Sequence, residues 1–215
     1  MRLPLTVLLA SFITALGIVS TETRPEAYAF TGPRWDRNVV SYVVNPANAD
    51  LPAAVVTPAV SAGADTWRQQ SGAAFRFALA GESAQTSNTN DGVNLVLFRN
   101  VSNGSTIATT YWWSSGSRII DADIVFWDGG FRFFTGASGC ANGFYIEDIA
   151  AHEFGHALGL AHSASSAATM YASATTCTTA GRSLDNDDIA GVRALYPPVA
   201  PEPPPSPPTG VRIVR

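Results

Sequence analysis

His152-Glu153-Phe154-Gly155-His156-Ala157-Leu158-Gly159-Leu160-Ala161-His162 contains all three histidines of the 215-residue chain. That clustering asks for a chemical reason, and helix geometry supplies one. His152 and His156 are four apart, so a helix puts them on one face about one turn from each other. Two imidazoles placed so can share one metal ion at about 2.0–2.1 Å, the usual zinc–nitrogen distance. Glu153 projects near the metal without having to bind it, as a general base must. On a continuous helix His162 would lie roughly 15 Å along the axis from His152. The chain must therefore stop and return. Gly159 permits this, because glycine accepts the left-handed conformation that ends helices. Three protein ligands leave a fourth position for water, which marks a catalytic rather than a structural zinc site. One catalytic zinc is expected.

The spacing H-E-x-x-H-x-x-G-x-x-H resembles the signature of the metzincin metallopeptidases. That family requires a methionine turn beneath the zinc, and Ala168-Thr169-Met170-Tyr171 stands eight residues after His162. Met170-Tyr171 at this distance, with Ser163 directly after the third histidine, is most similar to the matrixin branch. The resemblance implies an α+β catalytic domain. Its twisted five-stranded sheet would be mostly parallel with one antiparallel edge strand, accompanied by three helices. It also implies a zinc endopeptidase acting on protein or peptide, with Met170 as a packing base rather than a ligand. Substrate would lie along the edge strand Thr106–Trp113, with Trp112, Trp113 and Tyr171 as candidate substrate-binding residues.

The rest of the chain reads compatibly. Val39–Val44 is rich in β-branched and aromatic residues and ends at Asn45-Pro46, so it reads as a first strand. Pro52 to Gln70 carries apolar residues at helical spacing, with a start near Thr57 as an alternative. Strands are expected at Ala74–Ala78, Val93–Phe98, Thr106–Trp113 and Ile119–Trp127, with a polar loop over Gly81–Asp91. The zinc helix is expected from Ile146 or Glu147 to Leu158. A last helix is expected over Ser183 to Tyr196, capped by Ser183, with Asp185, Asp187 and Asp188 at the positive end of its dipole. The resemblance runs from about Trp35 to Tyr196.

Hydrophobic content of 46% and charged content of 14% describe a globular chain. The net charge of −4 offers no basic patch for nucleic acid, and every positive residue is Arg. Arg2 followed by the apolar run Leu3–Val19 reads as an export signal. Its cleavage site is either after Ala27-Tyr28-Ala29 or after Ser20. A single membrane anchor is the alternative, which Pro4 and the marginal length disfavour. A secreted, extracellular monomer with no stable membrane association follows. In an exported chain Cys140 and Cys177 are expected to pair.

The expected domains are a signal over 1–29, the catalytic domain over 30–196 and a Pro-rich linker over 197–208. Residues 209–215 are either a free tail or the start of a further β domain.

Departures from the family pattern carry weight. No cysteine precedes position 140, so a cysteine latch on the zinc is not expected. No histidine is left for a second zinc. Calcium is common in the family, and Asp91, Asp121, Asp123 and Asp128 are candidate oxygen ligands. They read more readily as solvated turn and strand-end residues, since no calcium-loop spacing is present. Ala172 stands where the family places Pro in the wall that receives the residue after the scissile bond. By resemblance, a free amine at Phe30 would pair with Asp187 or Asp188. The reading from another class is an extracellular binding module that keeps the fold without catalysis; retention of Glu153 argues against it.

Overall fold

The computed structural model describes residues 26–47 and 51–199. Residues 1–25 and 200–215, with the signal, most of the linker and the tail, lie outside the described residues. The first element, β1 (Ala29–Phe30), is a short strand. β2 (Val39–Val44) follows, its alternate residues Val40, Tyr42 and Val44 buried on one face. α1 (Ala53–Ser71) buries Val56, Ala59, Val60, Ala64 and Trp67. It begins at Ala53 rather than near Thr57, and Pro58 sits inside it. That proline falls in the second turn, where its missing N–H breaks only one bond of the first turn. Gly72 ends the helix at φ 66°.

β3 (Arg76–Glu82) runs further than Ala74–Ala78, taking in Gly81 and Glu82 of the expected loop. It is held there by parallel pairing along β2, from Val39 opposite Arg76 to Val44 opposite Glu82. β4 (Leu95–Phe98) is buried throughout, as a central strand covered on both faces must be. β5 (Ala108–Ser115) and β6 (Arg118–Phe126) form an antiparallel pair. The five-stranded sheet has the order β3-β2-β4-β6-β5, parallel except at β5–β6. The expected sheet is thus observed, with β5 as its antiparallel edge.

β7 (Phe133–Phe134) and β8 (Phe144–Tyr145) are a small parallel pair before α2 (Ile146–Leu158). β9 (Leu160–Ala161) pairs antiparallel with β1. α3 (Asn186–Leu195) completes the three helices. Its cap is Asp185, not Ser183. The Asp185 carboxylate accepts from the Asp187 amide at 3.1 Å and the Asp188 carboxylate accepts from the Asp185 amide at 2.9 Å, a reciprocal capping box. Ser183 instead follows a 3-10 turn over Ala180–Arg182.

α1 and α2 pack on one face of the sheet, where Phe77, Ile124, Phe126, Phe154 and Leu158 share the main core. A smaller cluster of Leu95, Leu97, Val125 and Trp127 covers the other face. The end of α2 is fixed from outside the helix. Trp35 Nε1 donates to the Ala157 carbonyl at 2.8 Å and Tyr196 Oη donates to the Leu158 carbonyl at 2.7 Å. These are carbonyls that a helix leaves without an intrahelical donor.

Candidate metal centre

α2 presents His152 and His156 one turn apart. Gly159 then takes φ 106° and its N–H returns to the His156 carbonyl at 2.9 Å. That left-handed turn would strain any side chain. β9 pairs with β1 immediately afterwards and carries the chain back to His162. The ring nitrogens of His152, His156 and His162 lie within 4.8 Å of one another, with His156 Nε2 and His162 Nε2 at 3.2 Å. Among the described residues this is the one grouping of three potential metal ligands.

Each of the two helix histidines is turned by a backbone acceptor. His152 Nδ1 is 2.7 Å from the Thr169 carbonyl and His156 Nδ1 is 2.9 Å from the Leu160 carbonyl. A carbonyl only accepts, so each Nδ1 carries the proton and each Nε2 keeps a free lone pair. Burial pushes both imidazoles down to about 4, so they are neutral at pH 7. Neutral, oriented imidazoles of this kind fit zinc, whose tetrahedral ligands stand about 3.3 Å apart at ordinary zinc–nitrogen lengths.

Glu153 points to the same cleft and is 5% exposed. Burial pushes its carboxyl upward, opposed by His156 and by Thr110. Thr110 Oγ1 lies 2.6 Å from Glu153 Oε2, so the hydroxyl donates to the carboxylate across the gap between β5 and α2. The Thr109-Thr110 pair gave no sign of this in the sequence; only the placement of β5 against α2 reveals it.

Met170 is 2% exposed and packs against Gly155 of α2. Its turn is clamped from α3. Asp188 accepts the amides of Thr169 at 2.7 Å and Met170 at 3.0 Å. Asp187 accepts the amides of Ala27 at 2.7 Å and Tyr28 at 3.0 Å, and the Ser163 hydroxyl at 2.6 Å. The pairing expected of a Phe30 amine belongs to a chain cut after Ala29; in the uncut chain Asp187 is engaged by Ala27 and Tyr28. Phe30 is held in β1 opposite Leu160, and the strand register puts Ala27 and Tyr28 over α3 instead.

A cavity of about 610 Å³ opens from the triad. Trp112, Tyr171 and Ala172 line it, whereas Trp113 does not, as the alternation of a strand requires for adjacent residues. Cys140 and Cys177 form a disulfide with Cα atoms 5.4 Å apart, tying the loop before α2 to the loop that walls the cavity. Asp148 also lines the cavity, one turn before His152 on the same helix face. Burial raises its carboxyl and the Arg182 guanidinium opposes the rise. Its spacing from His152 was a signal available in the sequence.

Three of the four calcium candidates, Asp91, Asp121 and Asp123, are neighbours. Asp121 Oδ2 accepts the amides of Asp91 and Gly92 at 2.8 and 2.9 Å. Asp123 accepts those of Leu95 and Thr89 at 2.8 and 2.9 Å, and burial pushes it up to about 7. These two carboxylates fasten the loop before β4.

Comparison with known proteins agrees with this geometry. The matrixin family matches residues 34–197. Human matrix metalloproteinase-20 is 51% identical over 57 residues, 26% of this chain and 12% of that protein. Interstitial collagenase of Equus caballus is 29% identical over 171 residues, 77% of this chain and 33% of that protein. Matrix metalloproteinase-2 of Drosophila melanogaster is 28% identical over 190 residues, 83% of this chain and 23% of that protein. The chain thus spans a third or less of the length of these relatives.

Proposed function

The chain belongs to the matrixin family, and on that premise we propose that it is an exported zinc endopeptidase in which Glu153 is the general base. The observation that carries the reading is the meeting of three histidine ring nitrogens with a buried carboxylate in one cleft beside a sheet edge.

His152, His156 and His162 would hold the ion. A zinc bound there supplies an acidified water and polarises the peptide carbonyl. The chain's own groups do the rest. Glu153 takes a proton from the attacking water and delivers it to the departing amine, so one carboxylate serves as base and then acid. Burial raises its proton affinity toward that task, and the Thr110 hydroxyl keeps it aimed. β5 pairs only with β6 among the described residues, so its outer backbone edge can take an extended peptide as a further strand. Trp112 and Tyr171 then flank that peptide.

Export rests on the N-terminal apolar run. We place the cleavage ahead of Ala27, since a cut after Ala29 would remove both amides held by Asp187 and half of β1. N-terminal sequencing of the secreted chain checks this.

The function is tested by casein hydrolysis with the zinc-loaded chain, with and without a chelator, beside Glu153→Ala. Chelator-sensitive cleavage that vanishes in the variant, at unchanged zinc content, supports the reading. A folded, zinc-loaded chain that cleaves no protein substrate refutes it in favour of a binding module.

A further inference from the structure

One wall of the cavity is fastened at a single place. Tyr171, Ala172, Ser173, Ala174, Thr175 and Thr178 line the cavity from the segment after the methionine turn. Residues 172–176 are exposed and belong to no helix or strand. Among the described residues, one hydrogen bond joins residues 172–177 to another segment, from the Cys177 amide to the Gly143 carbonyl at 2.9 Å. The disulfide to Cys140 is the covalent tie at the same place. The Gly143 side of the tie is firm. A β-carbon on Gly143 would run into the Arg132 carbonyl, and the next residue, Phe144, is paired with Phe133 between β8 and β7. The wall is held again only from Gly181, whose carbonyl accepts from Thr169 Oγ1 at 3.1 Å.

Backbone strain gathers at that fastening. Asn142 at φ 51° and Cys177 at φ 56° are the two non-glycine residues with positive φ among the described residues. The left-handed region is unfavourable for a residue with a β-carbon and persists where the surroundings over-determine it. Asparagine tolerates it and cysteine does not share that tolerance. The bridge supplies the constraint at Cys177. With the S–S bond cut, one hydrogen bond is left to hold that conformation. Relaxation of Cys177 to negative φ turns its amide away from Gly143 and releases the wall. Both cysteines are half-buried rather than enclosed, so a reductant reaches the bond.

We propose that the Cys140–Cys177 disulfide is a redox switch on the substrate cavity. Bridged, the wall is set and peptide is held; reduced, the wall is loose and peptide binds weakly while the histidine triad stays assembled. A dithiol reductant drives the change through a mixed disulfide. It gives up two electrons and two protons, becomes a disulfide itself, and leaves Cys140 and Cys177 as thiols. The triad is spared because its restraints lie elsewhere, in the Thr169 and Leu160 carbonyls and the β1–β9 pairing. The chain is thus weak where thiols are kept reduced and becomes competent in an oxidising compartment. The inference rests on the endopeptidase reading above and adds the regulation of that site.

The test measures peptide cleavage by the zinc-loaded chain in three states. These are the bridged chain, the chain reduced by a dithiol that is then removed without air and the zinc restored, and the reduced chain reoxidised with glutathione disulfide. On reduction kcat/KM is expected to fall about tenfold or more, mostly through KM, and to return on reoxidation. Zinc content and helical circular dichroism should hold, while amide hydrogen exchange over residues 172–178 should quicken. Cys140→Ser with Cys177→Ser should behave as the reduced chain under every redox condition. Three results overturn the switch alone: a reduced chain that cleaves like the bridged one, unchanged exchange over residues 172–178, or activity lost together with zinc or helix. A bridged, zinc-loaded chain that cleaves no peptide overturns the endopeptidase reading and this one with it.

Discussion

Gly155 and Met170 meet with no room between them. A β-carbon on Gly155 would press into Met170 Sδ and come within 2.5 Å of Trp67 Cζ2. The helix that carries His152 and His156 can therefore rest directly on the methionine turn. In an exposed helix Gly→Ala stabilises by about 0.5–1 kcal/mol. Here the steric conflict outweighs that gain, because Met170, Trp67 and the Asp188-clamped turn are all buried. Gly155→Ala is expected to cost about 1–3 kcal/mol, the range for overpacked cores. Urea unfolding that shows a gain in stability would refute this.

Thr110→Val removes the hydroxyl that donates to Glu153 while keeping the side chain's shape. A hydrogen bond to a charged group is worth about 1.5–3 kcal/mol, so kcat should fall about tenfold or more with KM little changed. Thr110→Ser should restore most of the rate. Equal losses in both variants, or a change confined to KM, would remove the assigned positioning role.

The metal-free chain should lose stability on mild acidification. His152 and His156 sit at about 4 in the folded state against an ordinary 6.5. The unfolded chain then binds more protons, so stability contributed above about pH 6.5 is lost as pH falls toward 4. The combined loss is on the order of a few kcal/mol. Urea midpoints of the metal-free chain at pH 7.5 and 5.0 check the sign; a midpoint that rises on acidification counts against it.

The Cys140–Cys177 bridge closes a separation of 37 residues that contains all of α2 and the methionine turn. Constraint of the unfolded chain by a loop of this length is worth about 2–4 kcal/mol. The double variant Cys140→Ser with Cys177→Ser should unfold at lower urea by that amount, read against the oxidised parent. An unchanged midpoint would show that the bridge does not limit the unfolded chain.

The sequence by itself determined the parts governed by local rules. The triad was legible because two ligands four apart share a helix face and Gly159 must follow them. The strand pattern of Val39–Val44, and the edge placement of β5 through the family resemblance, held in the structure, while the strand expected over Val93–Phe98 begins only at Leu95. Element ends were less legible: β3 grew to Glu82 because β2 offered pairing, and α3 took Asp185 as its cap because Asp188 could reciprocate. What only the tertiary structure decided is which side chains meet across long stretches of chain. Thr110 reaches Glu153 across 43 residues, Asp187 reaches Ala27 across 160, and Arg182 reaches Asp148 across 34. No periodicity encodes such pairs, since they arise where separately formed elements pack. They set how Glu153 is held, where the segment at Ala27 is anchored, and which carboxylates the Arg182 guanidinium meets.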